Sequence, residues 1–211
     1  MLIVSTILET HFHFNIIFIQ EPPWSIICSI TSLSCSKGEI LVGAPNHPNW
    51  LFFARLPTIQ LDFLRVMAYI NICLFSFRFS LCRDIIDYRD FLFISFFNNN
   101  ICSFIMNIYS DASHSALKYL KNTEVNIINL LIMTGDFNIR DQLWDPSFPY
   151  HLFISNNLFI IADSFNLDLS LLTNSVPTRY SDTVGESDLV IDLMFLCSRS
   201  SKLNNYLIHP E

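Results

Sequence analysis

Two polar side chains at the end of an apolar run could do chemistry together. In Leu130-Leu-Ile-Met-Thr-Gly-Asp-Phe-Asn138, Asp136 and Asn138 stand two positions apart just behind Gly135. Residues i and i+2 of a strand face the same side. If extended geometry persists one step past Gly135, carboxylate and carboxamide point together and Phe137 packs the other way. Such a pair suits a metal-assisted phosphoryl reaction, in which Asp136 holds or deprotonates a water and Asn138 hydrogen-bonds a phosphate oxygen. An ordinary strand end with a polar turn has the same sequence, so the motif alone leaves both readings open. Three more polar groups fall at or in apolar strands. Glu21 closes the β-rich run 15–20 ahead of Pro22-Pro23, which cannot continue a central strand. Tyr109 closes the run 101–109, and Asp192 lies within the apolar run 189–196, where a charge needs a partner. Singly, Glu21 also reads as an exposed acid before a turn and Tyr109 as an aromatic at a sheet rim.

The elements that must position these groups are mostly strands. A short helix is expected over 2–12 from the spacing of Leu2, Ile3, Ile7 and Leu8, and strands over 39–42, 50–55 and 65–72, parted by Pro/Asn/His turns. Residues 25–37 have no clear period, and 75–89 read as an exposed, charge-laced connection. Residues 91–97 and 101–109 flank Asn98-Asn99-Asn100 and are expected to be two strands of a hairpin. The uncharged run 91–110 is long enough to span a bilayer, but three adjacent amides in its middle would be costly there. A helix over 113–122 places Ala116, Leu117 and Leu120 on one face, with Ser113 able to cap it. A second, over 151–167, is expected to be interrupted near Asn156-Asn157, and a last strand to start at 206–208.

Composition sets the frame. The chain has 211 residues, 51% of them hydrophobic and 15% charged, which suits one domain with a sizeable core rather than a disordered polar chain. Six scattered cysteines without a C-x-x-C pair read as reduced core thiols, and zinc is not expected. No Lys or Arg precedes Lys37, so a secretory signal lacks its basic region; an intracellular protein of nucleus or cytoplasm, neither secreted nor membrane-bound, is expected. A net charge of −7 argues against holding nucleic acid by bulk electrostatics, yet permits an enzyme that touches a few phosphates through a divalent metal.

Five short motifs follow one another over nearly the whole chain: Ile19-Gln20-Glu21-Pro22, Asn107-Ile108-Tyr109, Thr134-Gly135-Asp136-Phe137-Asn138, Pro177-Thr178-Arg179, and Val190-Ile191-Asp192-Leu193-Met194-Phe195. In this order and rough spacing the chain resembles the endonuclease/exonuclease/phosphatase superfamily. Within it, the chain looks like the apurinic-type endonuclease domain of fungal non-LTR (LINE-like) retrotransposons. The resemblance implies a four-layered α/β sandwich, two mixed β-sheets face to face with helices outside, and a Mg²⁺-dependent (Mn²⁺ tolerated) hydrolase of DNA phosphodiester bonds. By motif, Glu21 would bind the metal, Tyr109 would hydrogen-bond the scissile phosphate, and Asp136 would orient or deprotonate the water. Asn138 would steady the phosphate or that water, Thr178 would line the DNA-binding surface, and Asp192 would orient a histidine near the C-terminus.

The chain also departs from the pattern. Relatives open with a strand carrying an Asn beside the metal and close with a Ser-Asp-His segment, whereas this chain ends at His209-Pro210-Glu211. His209 reads as a surface residue. Ala112 and Leu189 stand where relatives place polar residues. The expectation is therefore a single domain over 1–211 that lacks the first strand and the Asp-His segment, with uncovered sheet edges that favour self-association. The alternative to a working nuclease is a catalytically inactive relic or fragment of the same fold, and a phosphoinositide or other phosphoester substrate is a third reading that the fold permits.

Overall fold

The computed structural model describes residues 2–10, 14–22, 28–31, 39–42, 44–55, 64–74, 76–98, 101–123, 125, 127–145, 148–170 and 192–197. Thr178, the 177–187 loop, His209 and the strand expected at 206–208 lie outside them. The chain forms two compact units, Met1–Ile101 and Cys102–Glu211.

In the first unit, α1 (Leu2–Thr10) buries Val4 and Leu8, four residues apart and so on one face. The indole N–H of Trp50 donates to the carbonyl of Leu8 at 3.0 Å. Strands β1 (Ile16–Gln20), β4 (Trp50–Ala54) and β5 (Val66–Asn71) make an antiparallel sheet in the order β1-β5-β4. All six residues of the central strand are buried, which is why its Val-Met-Ala-Tyr-Ile sequence shows no alternation. Its one large polar tip is satisfied, since the Tyr69 hydroxyl donates to Pro45 O at 3.0 Å. Strands β2 (Cys28–Thr31) and β3 (Glu39–Val42) pair antiparallel, as do β6 (Arg78–Leu81) and β7 (Phe91–Asn98).

Strand β6 corrects the expectation of an exposed connection over 75–89. Its arginine and serine face solvent, while Phe79 packs within 6.5 Å of the rings of Phe53, Phe77 and Phe96. Of the charges expected in that connection only Arg78 lies in the edge strand; Arg83, Asp84, Asp87 and Arg89 lie in the exposed connection that follows it, as expected. Asp87 is held by Arg55 at 2.6 Å and Ile86 is buried. The cysteines are corrected as well: Cys73, Cys82, Cys102 and Cys197 carry free thiols, but none is buried in a core.

In the second unit, β8 (Ile101–Tyr109), α2 (Ser115–Asn122) and β9 (Leu130–Asp136) form a βαβ crossover, so β8 and β9 run parallel. Next come α3 (Phe153–Ser164), β10 (Leu167–Ser170) and β11 (Asp192–Cys197), and the strands lie in the order β10-β11-β9-β8. Both pairings made by β11 are antiparallel, which makes this sheet mixed. The protein is thus α/β, with two sheets and helices, as expected. Helix α2 buries Ala116, Leu117 and Leu120.

Helix α3 runs unbroken through Asn156-Asn157, contrary to expectation. Those amides sit off its buried face of Ser155, Leu158, Ile161 and Ala162, and each is bonded, to His151 and to Lys121 respectively. The helix also ends earlier than the apolar spacing suggests. Asn166 turns into the left-handed region (φ 56) and starts β10 at Leu167. A row of rings, Trp144, Phe159, Phe195 and Phe137, with successive centroids 5.9, 6.3 and 5.8 Å apart, joins the helix to the sheet. Among the described residues no helix is long and apolar enough to cross a membrane.

Candidate active site

Within the last two residues of β9, Gly135 adopts φ 145. A Cβ built there would lie 1.8 Å from the carbonyl oxygen of Ile108. Only glycine allows β9 to come this close to β8, and this approach brings the next residue into register. Tyr109 pairs with Asp136, and Asp136 pairs in turn with Asp192 at the start of β11. The three residues are therefore one rung across β8, β9 and β11, on one face of the sheet, with neighbouring strands about 4.8 Å apart. The Thr134 hydroxyl donates to Leu193 O at 3.1 Å and helps to fix β9 against β11. Tyr109 is 7% exposed, whereas both carboxylates are partly open.

Two carboxylates directly opposite each other repel. Carboxylate and phenol oxygens are hard donors of the kind a divalent cation takes. Among the described residues, no cluster of three or more His, Cys, Asp or Glu has metal-binding geometry.

Asn138 is where the sequence expectation gives way. The strand stops at Asp136, and Asn138 turns left-handed with φ 49 instead of continuing extended. Its N–H donates to Asp136 Oδ1 at 2.9 Å, closing an Asx-type turn, and its Nδ2 donates to Ser110 O at 2.8 Å. One amide hydrogen is thereby spent on the β8 end, so Asn138 has less to offer a phosphate than an extended strand would give it. Phe137 does pack the other way, fully buried and edge-on to Phe195. The amide of Ser110 donates to Asp136 O at 2.7 Å, which carries the ladder one step past Tyr109.

The turn after Tyr109 is organised by an acid that the sequence reading passed over. Asp111 Oδ1 accepts from the amides of Ser113 and Ser115 at 3.1 and 3.3 Å and from both their hydroxyls at 2.7 and 3.3 Å. Ser113 does not cap α2: the N-cap position is His114, whose side chain makes no cap bond, and Asp111 instead braces the turn and accepts from the first helical amide, Ser115. The hydroxyl of Ser113 and the other donors hold the Asp111 carboxyl below the ordinary 3.8 against the opposing effect of burial. His114 takes the left-handed backbone (φ 53) at the helix start; burial and then the Lys118 charge hold its pKa below 6.5. An acid four residues ahead of the first helical serine was the available signal.

Glu21 belongs to the first unit. It follows β1 with φ 39, its N–H donates to Arg65 O at 2.9 Å, and its carboxylate faces Arg65 Nη1 at 3.6 Å with 60% of the side chain exposed. So long and exposed an ion pair contributes little and leaves oxygen lone pairs for a cation. Tyr109, Asp136, Asn138 and Asp192 are thus brought together within the second unit.

No family model and no curated protein matches the chain. Solved structures do. The endonuclease domain of TRAS1, a telomere-specific non-LTR retrotransposon, superposes with a TM-score of 0.65 at 14% identity, covering 94% of this chain and 80% of that one. The fold is the fold of that endonuclease domain. TDP2 from D. rerio, complexed with single strand DNA product, is a looser likeness, with a TM-score of 0.48 at 14% identity over 93% of this chain and 75% of that one.

Proposed function

We propose that the chain is a divalent-metal-dependent DNA phosphodiesterase, an apurinic-type endonuclease of the non-LTR retrotransposon kind. The observation that carries the reading is the single rung Tyr109–Asp136–Asp192, closed at its end by the Asn138 turn. The TRAS1 domain shares the fold, and what that domain does supports the reading for this chain.

In this reading Asp136 accepts the proton of a water whose oxygen attacks phosphorus, while the bond from phosphorus to the leaving sugar oxygen breaks and that oxygen takes a proton from solvent water. The phenol of Tyr109 donates to a non-bridging phosphate oxygen, where negative charge grows in the transition state. Asn138 steadies the loop end and, through its remaining amide hydrogen, the same phosphate. Asp192 orients its neighbours in the rung, Thr178 lines the DNA surface, and Glu21 would hold a divalent cation, which would supply Lewis-acid neutralisation of phosphate charge.

A 5′-labelled duplex oligonucleotide incubated with Mg²⁺ or with EDTA tests this. Cleavage should require the metal and fall by about 10²-fold in Tyr109→Phe with the fold intact. Cleavage that survives EDTA, or a Tyr109→Phe variant as fast as the parent, would contradict the assignment.

A further inference from the structure

Downstream of Asn138 the described residues 139–145 and 148–152 hang on one buried acid outside the rung. Asp141 is fully buried. Its Oδ1 accepts from Leu143 N at 3.0 Å, and its Oδ2 accepts from Leu152 N at 3.0 Å and from His151 Nδ1 at 2.7 Å. Its own carbonyl accepts from the amides of Trp144 and Asp145 at 3.2 and 2.8 Å, and Gln142 N donates to Tyr150 O at 3.1 Å. Residues 139–145 lead straight back to the site: the indole N–H of buried Trp144 donates to the carbonyl of Ile139, the residue after Asn138, at 3.1 Å.

A left-handed backbone on a residue other than glycine persists only where its surroundings determine it from both sides. Upstream, Asn138 is fixed by Asp136 and Ser110. Downstream, the determinant is this clasp. We propose that Asp141 is a positioning residue for Asn138: gripped by His151 at the start of α3, it ties residues 139–145 to 148–152 and so holds Asn138 in the turn that presents it beside the rung.

The grip is charge-dependent. Nε2 of His151 lies 2.8 Å from Asn156 Oδ1 while Nδ1 faces the carboxylate, so both nitrogens donate only when the ring carries both protons. The bond to Asn156, then that to Asp141, raises the His151 pKa above 6.5. Burial pushes Asp141 up, but the donors around its oxygens outweigh it and hold the acid below 3.8. Other charges nearby are engaged elsewhere: Asp145 binds Arg140 at 2.9 Å, Arg140 lies over the Phe148 ring at 4.8 Å, and Lys121 of α2 binds Asn157 at 2.9 Å. A raised histidine stabilises the fold below its unfolded value and ceases to do so as pH rises through the folded one. The clasp is therefore full below pH 6.5 and loosens above it.

The proposal deepens the nuclease reading, in which Asn138 steadies the phosphate, but its test needs no cleavage. Amide hydrogen exchange is followed by NMR in the full chain at the Asn138 N–H and the Trp144 indole N–H, in the parent, His151→Gln and His151→Lys. At pH 6 the Gln variant should exchange about tenfold faster at both positions, and the Lys variant, which keeps a charge, should match the parent. After correction for intrinsic exchange, parent protection should drop toward the Gln variant as pH climbs past 6.5, and the Lys variant should not follow. Equal protection of Asn138 in the parent and the Gln variant, or a pH-independent parent, would overturn the proposal. Asp141→Asn should repeat the Gln result; if that variant does not fold, the His151 variants decide alone, because the His151 side chain is 34% exposed and tolerates replacement. These readouts separate failure of the clasp from failure of the nuclease reading.

Discussion

Gly135 and Asn138 show how much of a site is set by backbone rather than by side-chain chemistry. The glycine lets β9 approach β8 until Tyr109 and Asp136 share a rung, and the asparagine ends the strand by turning left-handed. The identity of Asp136 and Tyr109 as strand-end groups was legible in the sequence because an apolar run followed by a carboxylate or phenol is a one-dimensional signal. The turn at Asn138 was not legible: it rests on the carbonyl of Ser110, 28 residues away, and on the Asp136 carboxylate. Substituting Gly135→Ala tests the backbone argument. A methyl group 1.8 Å from the Ile108 oxygen must push the strands apart, so the variant should lose about 3 kcal/mol or more in urea unfolding. A variant within 0.5 kcal/mol of the parent, roughly the scatter of a surface change, would mean that the approach is not needed.

Elements divide by how much of their pattern is local. Strands β1, β4, β5, β7, β8 and β9 are apolar runs between breakers, and they were readable as such. Strand β6 was hidden because Arg78 and the acids after it look like a solvated connection until Phe79 is seen among its neighbouring rings. Strand β10 was not read, and the helix was expected to run on to its first residue, Leu167, because the break between them is the conformation of Asn166 rather than a change of composition. Helix α2 was found by its period, but Ser113 does not cap it: the N-cap is His114 without a side-chain bond, and Asp111 braces the turn across a stretch that periodicity does not describe.

That brace gives a prediction at the scale of the element. Asp111→Ala should destabilise the protein by about 1 kcal/mol at neutral pH. Because the folded pKa of Asp111 is depressed, its contribution is full above the ordinary value of 3.8 and is lost as pH falls through the folded one. The stability difference between parent and variant should therefore close on acidification. A gap that stays constant below pH 3.8 would show that the carboxylate is not what braces the start of α2.

At the scale of the whole molecule, an acidic chain with a net charge of −7 is poorly suited to holding a nucleic acid by its general field. That charge is compatible with the proposed reaction, in which a cation would stand between acids and phosphate. The fold, shared with the TRAS1 endonuclease domain at 14% identity, followed from the strand pattern and motif order, which do not depend on overall identity. Of the proposed site, the strand-end places of Tyr109 and Asp136 were legible, and Thr178 lies outside the described residues.

The most direct measurement is nicking of supercoiled plasmid in Mg²⁺ by this chain and by Asp136→Ala. Conversion to the open circle by the parent, reduced by about 10²–10⁴-fold in the variant, is the predicted result. An inactive parent, or a variant that nicks as fast as the parent, would contradict the assignment of the Tyr109–Asp136–Asp192 rung as a working nuclease site.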